Sequence, residues 1–148
     1  MAAIRRRTAR VIPVSPAGRV LMVLGHDPLY PDAPYWFTIG GGLEPGESEK
    51  QAARRELWEE TGIDRPAADL GEPFLRDEHS YVYNGVEVHA NSVFFALALH
   101  EDVDVRPPAP SPGEIITDGR WWYPEALTRE PLSNPDLPEI VARAVGSL

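Results

Sequence analysis

The sequence predicts a mixed fold, α+β or α/β, in which strands lie on both sides of one strong helix. Short runs of apolar and β-branched residues occur before and after a single helical segment. That segment is rich in strong helix formers and ends at a glycine. The chain has 148 residues, which is enough for one domain with a real core and too short to expect two. We therefore expect residues 1–148 to form a single domain.

Composition excludes several functional classes. Hydrophobic residues make up 43% of the chain and charged residues 25%, which is ordinary for a globular protein. The net charge of −9 argues against broad binding to nucleic acid or to anionic membranes. No apolar run could span a bilayer, and the basic start lacks the apolar segment of a secretory signal, so we expect a cytoplasmic protein. The absence of cysteine removes disulfides, thiolate nucleophiles and cysteine-ligated zinc.

The first third of the chain predicts short strands joined by turns and loops. Its one basic cluster, Arg5, Arg6, Arg7 and Arg10, is predicted to be a solvated or frayed terminus in preference to a phosphate contact. Two β-type runs, "TARVIPV" and "GRVLMVLG", flank the turn "SPAG". A proline-rich loop then leads into a short strand near Trp36, and "GGGLEPGES" is predicted to be a loop because glycine supplies unusual backbone conformations.

The helix is predicted between Ser48 and Gly62. Ser48 and Gln51 fit a capping box, and Gly62 is a typical C-terminal cap. Ala53 and Leu57 stand one turn apart and form a stripe that can pack on a sheet. The acidic residues of the helix occupy the neighbouring stripe, so we expect them at the edge of the core.

The second half predicts a hairpin, a long loop, a strand and a last helix. "FLRDEHSYVY" and "VEVHANSVFFALAL" flank Asn84-Gly85, a strong two-residue hairpin signal. "RPPAPSPGE" predicts a proline-rich loop, "GRWWY" a strand and residues 124–127 one helical turn. The last helix is predicted to follow the cap Asn134, with Pro135 in its first position, and to end near Val145.

The stretch "RRELWEETG", residues 54–62, places three acids on one helix face. Glu56, Glu59 and Glu60 stand at i, i+3 and i+4, where like charges repel by about 0.2–0.5 kcal/mol for each close pair. A solvated acidic face is one interpretation. A divalent cation bound by carboxylate oxygens is the other, and it would remove the repulsion. Two further acids in the glycine-rich loop, together with Arg55 at i−4 from Glu59, favour the cation.

These residues resemble a known family. The stretch 41–63 matches the Nudix box, Gly-x5-Glu-x7-Arg-Glu-U-x-Glu-Glu-x-Gly-U, where U is a bulky aliphatic residue. The nine fixed positions are Gly41, Glu47, Arg55, Glu56, Leu57, Glu59, Glu60, Gly62 and Ile63. The surrounding segments are similar to those of MutT-like Nudix hydrolases. Ile39 departs from the pattern, because relatives often carry proline before the glycines.

The resemblance implies an α/β/α sandwich around a mixed β-sheet, with the box as a loop–helix–loop. It also implies Mg²⁺- or Mn²⁺-dependent hydrolysis of a nucleoside diphosphate linked to another moiety. By motif position, Glu56, Glu59 and Glu60 would be metal ligands, and the Gly41 carbonyl could be a further one. Arg55 would orient Glu59. The general base would be Glu59 or a glutamate from a later loop, which here is Glu114. A solvated loop acid is the alternative for Glu114.

The sequence does not identify the substrate. Asp77 and Glu78 stand where ADP-ribose-specific relatives often carry proline, and Tyr81 gives only a weak hint of a dinucleoside polyphosphate. A nucleoside triphosphate and a nucleotide sugar are further alternatives. Tyr30 and Tyr35 could stack on a base or pack in the protein.

The sequence also leaves open other functional classes for the protein and the roles of several aromatic residues. A Nudix domain kept as a ligand-binding sensor without turnover is the second functional hypothesis, and a homodimer is left open. Trp36 could stack on a base or pack in the core, and of Trp121 and Trp122 one is expected in the core and the other could face a substrate cleft. His26, His79, His89 and His100 lack the spacing of zinc ligands, so solvent or structural roles are predicted for them.

Overall fold

The computed structural model describes residues 3–105 and 115–148. The strands are β1 (Ile4–Val14), β2 (Val20–Gly25), β3 (Tyr35–Phe37), β4 (Ile39–Gly42), β5 (Leu75–Tyr83), β6 (Val86–Ala98) and β7 (Ile116–Trp122). The helices are α1 (Glu49–Thr61) and α2 (Leu137–Gly146), and two 3₁₀ helices span Ala67–Leu70 and Pro124–Arg129. No described helix is long and apolar enough to cross a membrane.

The strands form one mixed sheet. The order of hydrogen-bonded neighbours is β3-β2-β1-β6-β5, while β4 pairs with β1 and β7 pairs with β2. β1 and β6 run parallel, from the pair Ile4–Val88 to the pair Val14–Ala98. The other pairings are antiparallel. This agrees with the mixed sheet that the sequence predicts.

Each face of the sheet carries its own apolar core. Alternate residues of a strand point to opposite faces, so Val11 packs on the side of α1 and Ile12 on the side of α2. Ala53 and Leu57 are fully buried, which confirms the predicted stripe on α1. Burial of a leucine side chain of this kind contributes about 1.5–3 kcal/mol. The three layers are therefore α1, the sheet and α2.

Two local predictions are confirmed at the level of individual contacts. The Ser48 hydroxyl accepts from the Gln51 backbone N–H at 3.1 Å, and the Ser48 backbone N–H donates to Gln51 Oε1 at 2.9 Å. Gly62 closes α1 in the left-handed conformation, with φ of 80°. Asn84 and Gly85 form the hairpin turn with φ of 52° and 76°, as a two-residue turn of this hand requires.

Four expectations about secondary structure need correction. The N-terminus is not frayed, because residues from Ile4 onward bond to β6 as a strand. Gly40, Gly41 and Gly42 belong to β4 and pair with β1, so the predicted loop begins only at Leu43. The last helix begins at Leu137, because the Asn134 side chain accepts from the Asp136 N–H and first makes a separate turn. The 3₁₀ helix at residues 67–70 was not predicted.

Two tryptophans of β7 lie on opposite faces of the sheet. Trp121 packs against the core on the α1 side and Trp122 against the core on the α2 side. Trp36 is buried, and its ring meets that of Trp122 edge to face, with centroids 5.1 Å apart. All three rings therefore serve packing. The proline-rich loop and Glu114 lie outside the described residues.

Candidate active site

Arg55 joins the helix α1 to the loop that precedes it. Its Nε and Nη2 donate to the two carboxylate oxygens of Glu47 at 2.8 and 2.9 Å, a bidentate geometry that only a guanidinium supplies. Nη1 donates to Glu56 at 2.9 Å and to Glu59 at 3.3 Å, and Nη2 also donates to the Gly42 carbonyl at 3.1 Å. The resemblance assigned Arg55 to Glu59 alone, whereas the structure gives it four hydrogen-bond partners and a longer ion pair with Glu44 at 3.8 Å.

The contacts of Arg55 fix its charge and that of Glu47. Hydrogen bonding to the Arg55 guanidinium lowers the pKa of Glu47, which outweighs the opposite effect of burial; the backbone N–H of Glu44 and the charge of Arg55 act in the same direction. In turn, the hydrogen bond to Glu47 raises the pKa of Arg55. Both groups are therefore ionised at neutral pH, and the pair holds residues 42–47 against α1.

Two of the three acids on α1 are withdrawn from solvent. Relative exposure is 9% for Glu56 and 2% for Glu60, while Glu59 is half-buried. Glu60 Oε2 accepts from the backbone N–H of Gly40 at 2.9 Å. A solvated acidic face therefore does not describe Glu56 or Glu60. Burying a carboxylate is costly unless hydrogen bonds or cations compensate it. Here the Arg55 guanidinium compensates Glu56, and the Gly40 N–H donates to Glu60.

A cavity of about 520 Å³ opens on the α2 face of the sheet. Its wall carries several rings and two arginines, among them Tyr30, Tyr35, His79, Tyr81, Arg6 and Arg10. The rings of His79 and Tyr81 stack with centroids 5.4 Å apart. Burial lowers the pKa of His79, which favours its neutral form. Aromatic walls with a few polar groups suit a planar organic ligand.

Asp27 holds two segments together at the wall of this cavity. Its side chain is buried, and its two oxygens accept from the backbone N–H groups of Leu29 and Asn84, each at 2.9 Å. The first bond shapes the loop after β2, and the second ties that loop to the tip of the β5–β6 hairpin. The two segments that carry Tyr30 and Tyr81 are thereby fixed relative to each other.

Gly40 connects the cavity to the acidic helix. Its carbonyl accepts from Arg10 Nη1 at 3.0 Å, and the same nitrogen donates to the Thr38 carbonyl at 3.1 Å. Its N–H donates to Glu60 of α1. An added Cβ would stand 2.2 Å from the Ala9 carbonyl oxygen, so only glycine fits here. The ring-lined cavity and the buried acids therefore adjoin at one residue of β4.

Comparison with known proteins agrees with this geometry. The family model described as NUDIX domain matches residues 4–144, which is nearly the whole chain. The chain belongs to the Nudix family. The resemblance stated for the Nudix box thus extends from β1 to α2.

Known relatives support the family and the fold. The chain is 32% identical over 109 residues to an RNA pyrophosphohydrolase of Erythrobacter litoralis, covering 64% of this chain and 62% of that protein. It is 59% identical over 96 residues to Nudix hydrolase 19, chloroplastic, of Arabidopsis thaliana, covering 64% of this chain and 19% of that protein. The matches thus span less than two thirds of either relative. The MutT protein of Methanosarcina mazei Go1 shares the fold, with a TM-score of 0.73, 20% identity and coverage of 97% and 96%.

The Nudix box presents a donor set that suits a hard divalent cation. An added Cβ at Gly41 would stand 2.6 Å from Glu56 Oε1, so the glycine allows β4 to touch the acids of α1. Carboxylate and backbone oxygens are the ligands that Mg²⁺ and Mn²⁺ prefer. In residues 3–105 and 115–148, no three acidic or histidine side chains converge into a ready-made metal site. Arg55 engages Glu56 and Glu59 through one nitrogen, and Glu59 is the most exposed of the three acids on α1.

Some residues of this Nudix site escaped sequence analysis. Tyr30, Tyr35 and Tyr81 line the cavity, and so do His26 and His79, for which the sequence predicted solvent or structural roles. Arg6 and Arg10 were assigned to a solvated terminus. Arg6 and Arg10 are four residues apart, so in a strand both lie on one face. This can be recognised only once β1 is known to begin at Ile4. Asp27 gave no signal, because its partner Asn84 is distant in sequence.

Proposed function

We propose that this protein is a divalent-metal-dependent hydrolase that cleaves a phosphoric anhydride bond in a nucleoside diphosphate linked to another moiety. The observation that carries the proposal is the meeting at Gly40 of the buried acids of α1 and the ring-lined cavity. Metal-binding acids suit a phosphate chain, and an aromatic pocket suits a nucleoside; here the two adjoin. The names of the curated relatives, a pyrophosphohydrolase and a Nudix hydrolase, support the same reaction class.

The proposed roles follow from the contacts of each residue. Glu56, Glu59, Glu60 and the Gly41 carbonyl would hold Mg²⁺ or Mn²⁺, which as a Lewis acid stabilises the charge that develops on phosphoryl oxygens. Arg55 positions Glu56 and Glu59 through its Nη1.

Glu47 acts through Arg55, which it anchors at two oxygens. Water attacks phosphorus, one P–O bond of the anhydride breaks, and a carboxylate takes the proton of the water.

The cavity limits the organic part of the substrate. Its volume of about 520 Å³ lies within the range of about 300–1,000 Å³ that is usual for small-molecule sites. A nucleoside triphosphate, a dinucleoside polyphosphate and a nucleotide sugar all contain a group of suitable size. A screen of these three classes with Mg²⁺, in which both products are identified by chromatography, tests the proposed reaction directly. Binding of a nucleotide without any product would instead support a ligand-binding sensor.

Hydrolysis should require a divalent metal. Without one, the acids of α1 repel each other and an anionic substrate. We expect no turnover in excess chelator and recovery when Mg²⁺ or Mn²⁺ is added in excess over the chelator. The release of product is measured over time in both conditions, with a metal-independent phosphatase assayed beside it to exclude an effect of chelator on detection. Full activity in chelator would contradict the proposed mechanism.

The general base is Glu59 or Glu114, and one variant separates them. If Glu114 is the base, Glu114→Gln should lower kcat by about 10²–10⁴-fold and flatten the acidic limb of the pH–rate profile, while metal affinity hardly changes. If Glu59 is the base, Glu114→Gln should cost less than about tenfold and keep that limb. We favour Glu114, because in sequence it stands two residues before Ile116, the first residue of β7. A small loss in rate with an intact acidic limb would overturn that preference.

A further inference from the structure

Arg6 stands between the cavity and the Nudix box. It lines the cavity on the α2 face, and it also lines a shallow depression bounded by residues 5–7 and 42–47. In β1 it lies on the same face as Arg10, two residues beyond the last pair with β4, which joins Thr8 to Gly42. Arg6 is the residue that the linings of the cavity and of the depression share.

The guanidinium of Arg6 lies against the backbone of Gly42. An added Cβ at Gly42 would stand 2.9 Å from Arg6 Nε and 3.1 Å from Nη2, so the glycine leaves the space that the guanidinium occupies. The carbonyl of the same glycine accepts from Arg55 Nη2. Arg6 therefore rests on the segment that Arg55 fixes to α1, and its guanidinium lies next to Gly42, the residue that follows Gly41 in β4.

Arg7 and Arg10 are already engaged, whereas Arg6 has no protein partner among the described residues. Arg7 pairs with Glu49 at 3.6 Å, and Arg10 donates to two backbone carbonyls. Within residues 3–105 and 115–148, no ion pair or side-chain hydrogen bond joins Arg6 to another residue. Its donors are available to a ligand, and a planar guanidinium matches phosphate oxygens in a bidentate manner.

We infer that Arg6 binds the phosphate group that links the organic part of the substrate, held in the cavity, to the phosphorus that is attacked. The inference rests on the proposed function and names a specificity-determining residue for it. Arg6 selects a ligand that carries phosphate at the junction of the cavity and the box. It contributes to binding of the substrate and leaves the chemical step to the acids of α1.

Binding of inorganic pyrophosphate tests the inference without turnover and with a ligand that has no nucleobase. Pyrophosphate is titrated in chelator into the whole ¹⁵N-labelled protein, and amide and arginine Nε–H shifts are followed by NMR. We expect shifts at Arg6 and Gly42, and a loss of affinity of roughly 10–100-fold in Arg6→Gln, the scale of a hydrogen bond to a charged group. Arg129→Gln is the matched control: Arg129 is exposed and lines neither the cavity nor the depression, and the charge change is the same.

Kinetics supply the second readout. With any substrate that the screen identifies, Arg6→Gln should raise KM by roughly 10–100-fold and change kcat by less than about threefold, and Arg6→Lys should recover part of the loss. Equal pyrophosphate affinity in wild type, Arg6→Gln and Arg129→Gln would overturn the inference, as would no shift at Gly42. Pyrophosphate binding that needs Arg6, in a protein that hydrolyses nothing, would contradict the proposed function and leave the phosphate contact intact.

Discussion

Glu60→Gln should lower kcat by at least about 10²-fold, the usual scale for losing a catalytic metal ligand. The fold should survive, because a glutamine side chain keeps an oxygen that can accept from the Gly40 N–H. Removal of one charge also relieves repulsion on α1, so the melting temperature without metal should stay equal or rise. Steady-state rates at saturating Mg²⁺ and thermal unfolding followed by circular dichroism measure both effects. Glu59→Gln should show a similar loss in rate.

Glu49→Gln provides a matched control for this variant. Glu49 lies on the same helix, but its carboxylate pairs with Arg76 at the surface, and hydrogen bonding to Arg76 lowers its pKa. Its removal should leave kcat within about threefold, since exposed ion pairs contribute little. A folded Glu60→Gln protein with the wild-type rate would show that catalysis does not need the Glu60 carboxylate. An unfolded variant would show that this carboxylate serves the fold.

Arg55→Lys should damage activity although the charge is retained. A lysine ammonium cannot donate to both oxygens of Glu47 and also reach Glu56, Glu59 and the Gly42 carbonyl. We expect kcat to fall by roughly 10–10²-fold, because the acids lose their orientation. The free energy of unfolding should fall by about 1–3 kcal/mol, because partly buried acceptors lose their donors. Chemical denaturation and steady-state kinetics measure the two effects separately.

Arg54→Lys is the control for Arg55→Lys. Arg54 is the adjacent residue, and its side chain is exposed. Its only ion pair among the described residues joins it to Asp64 at 3.3 Å, and both side chains are exposed. This substitution should change stability by less than about 0.5 kcal/mol. Normal kinetics in Arg55→Lys would show that Arg55 balances charge and does not position the acids. Equal losses in both variants would point to a general effect on the helix.

The sequence by itself determined the features that depend on neighbours in the chain. Ser48 and Gln51 define the start of α1 and Gly62 defines its end, because caps act over three or four residues. Asn84 and Gly85 define their hairpin for the same reason. The spacing of Arg55, Glu56, Glu59 and Glu60 defines a helix face. Together with the glycine-rich loop, this spacing identifies the family. These residues interact within two helical turns, so a local pattern contains their geometry.

Only the tertiary structure decided what depends on distant partners. β1 pairs in parallel with β6, whose residues follow some eighty positions later, and this pairing turns an apparently frayed basic terminus into a strand. Gly40 and Gly41 are part of β4, because they must approach β1 on one edge and the acids of α1 on the other.

The cavity and the place of Arg6 beside Gly42 follow from those contacts. Sheet pairing takes its free energy from hydrogen bonds and packing between segments that are separated in sequence. Local residue patterns do not contain that information.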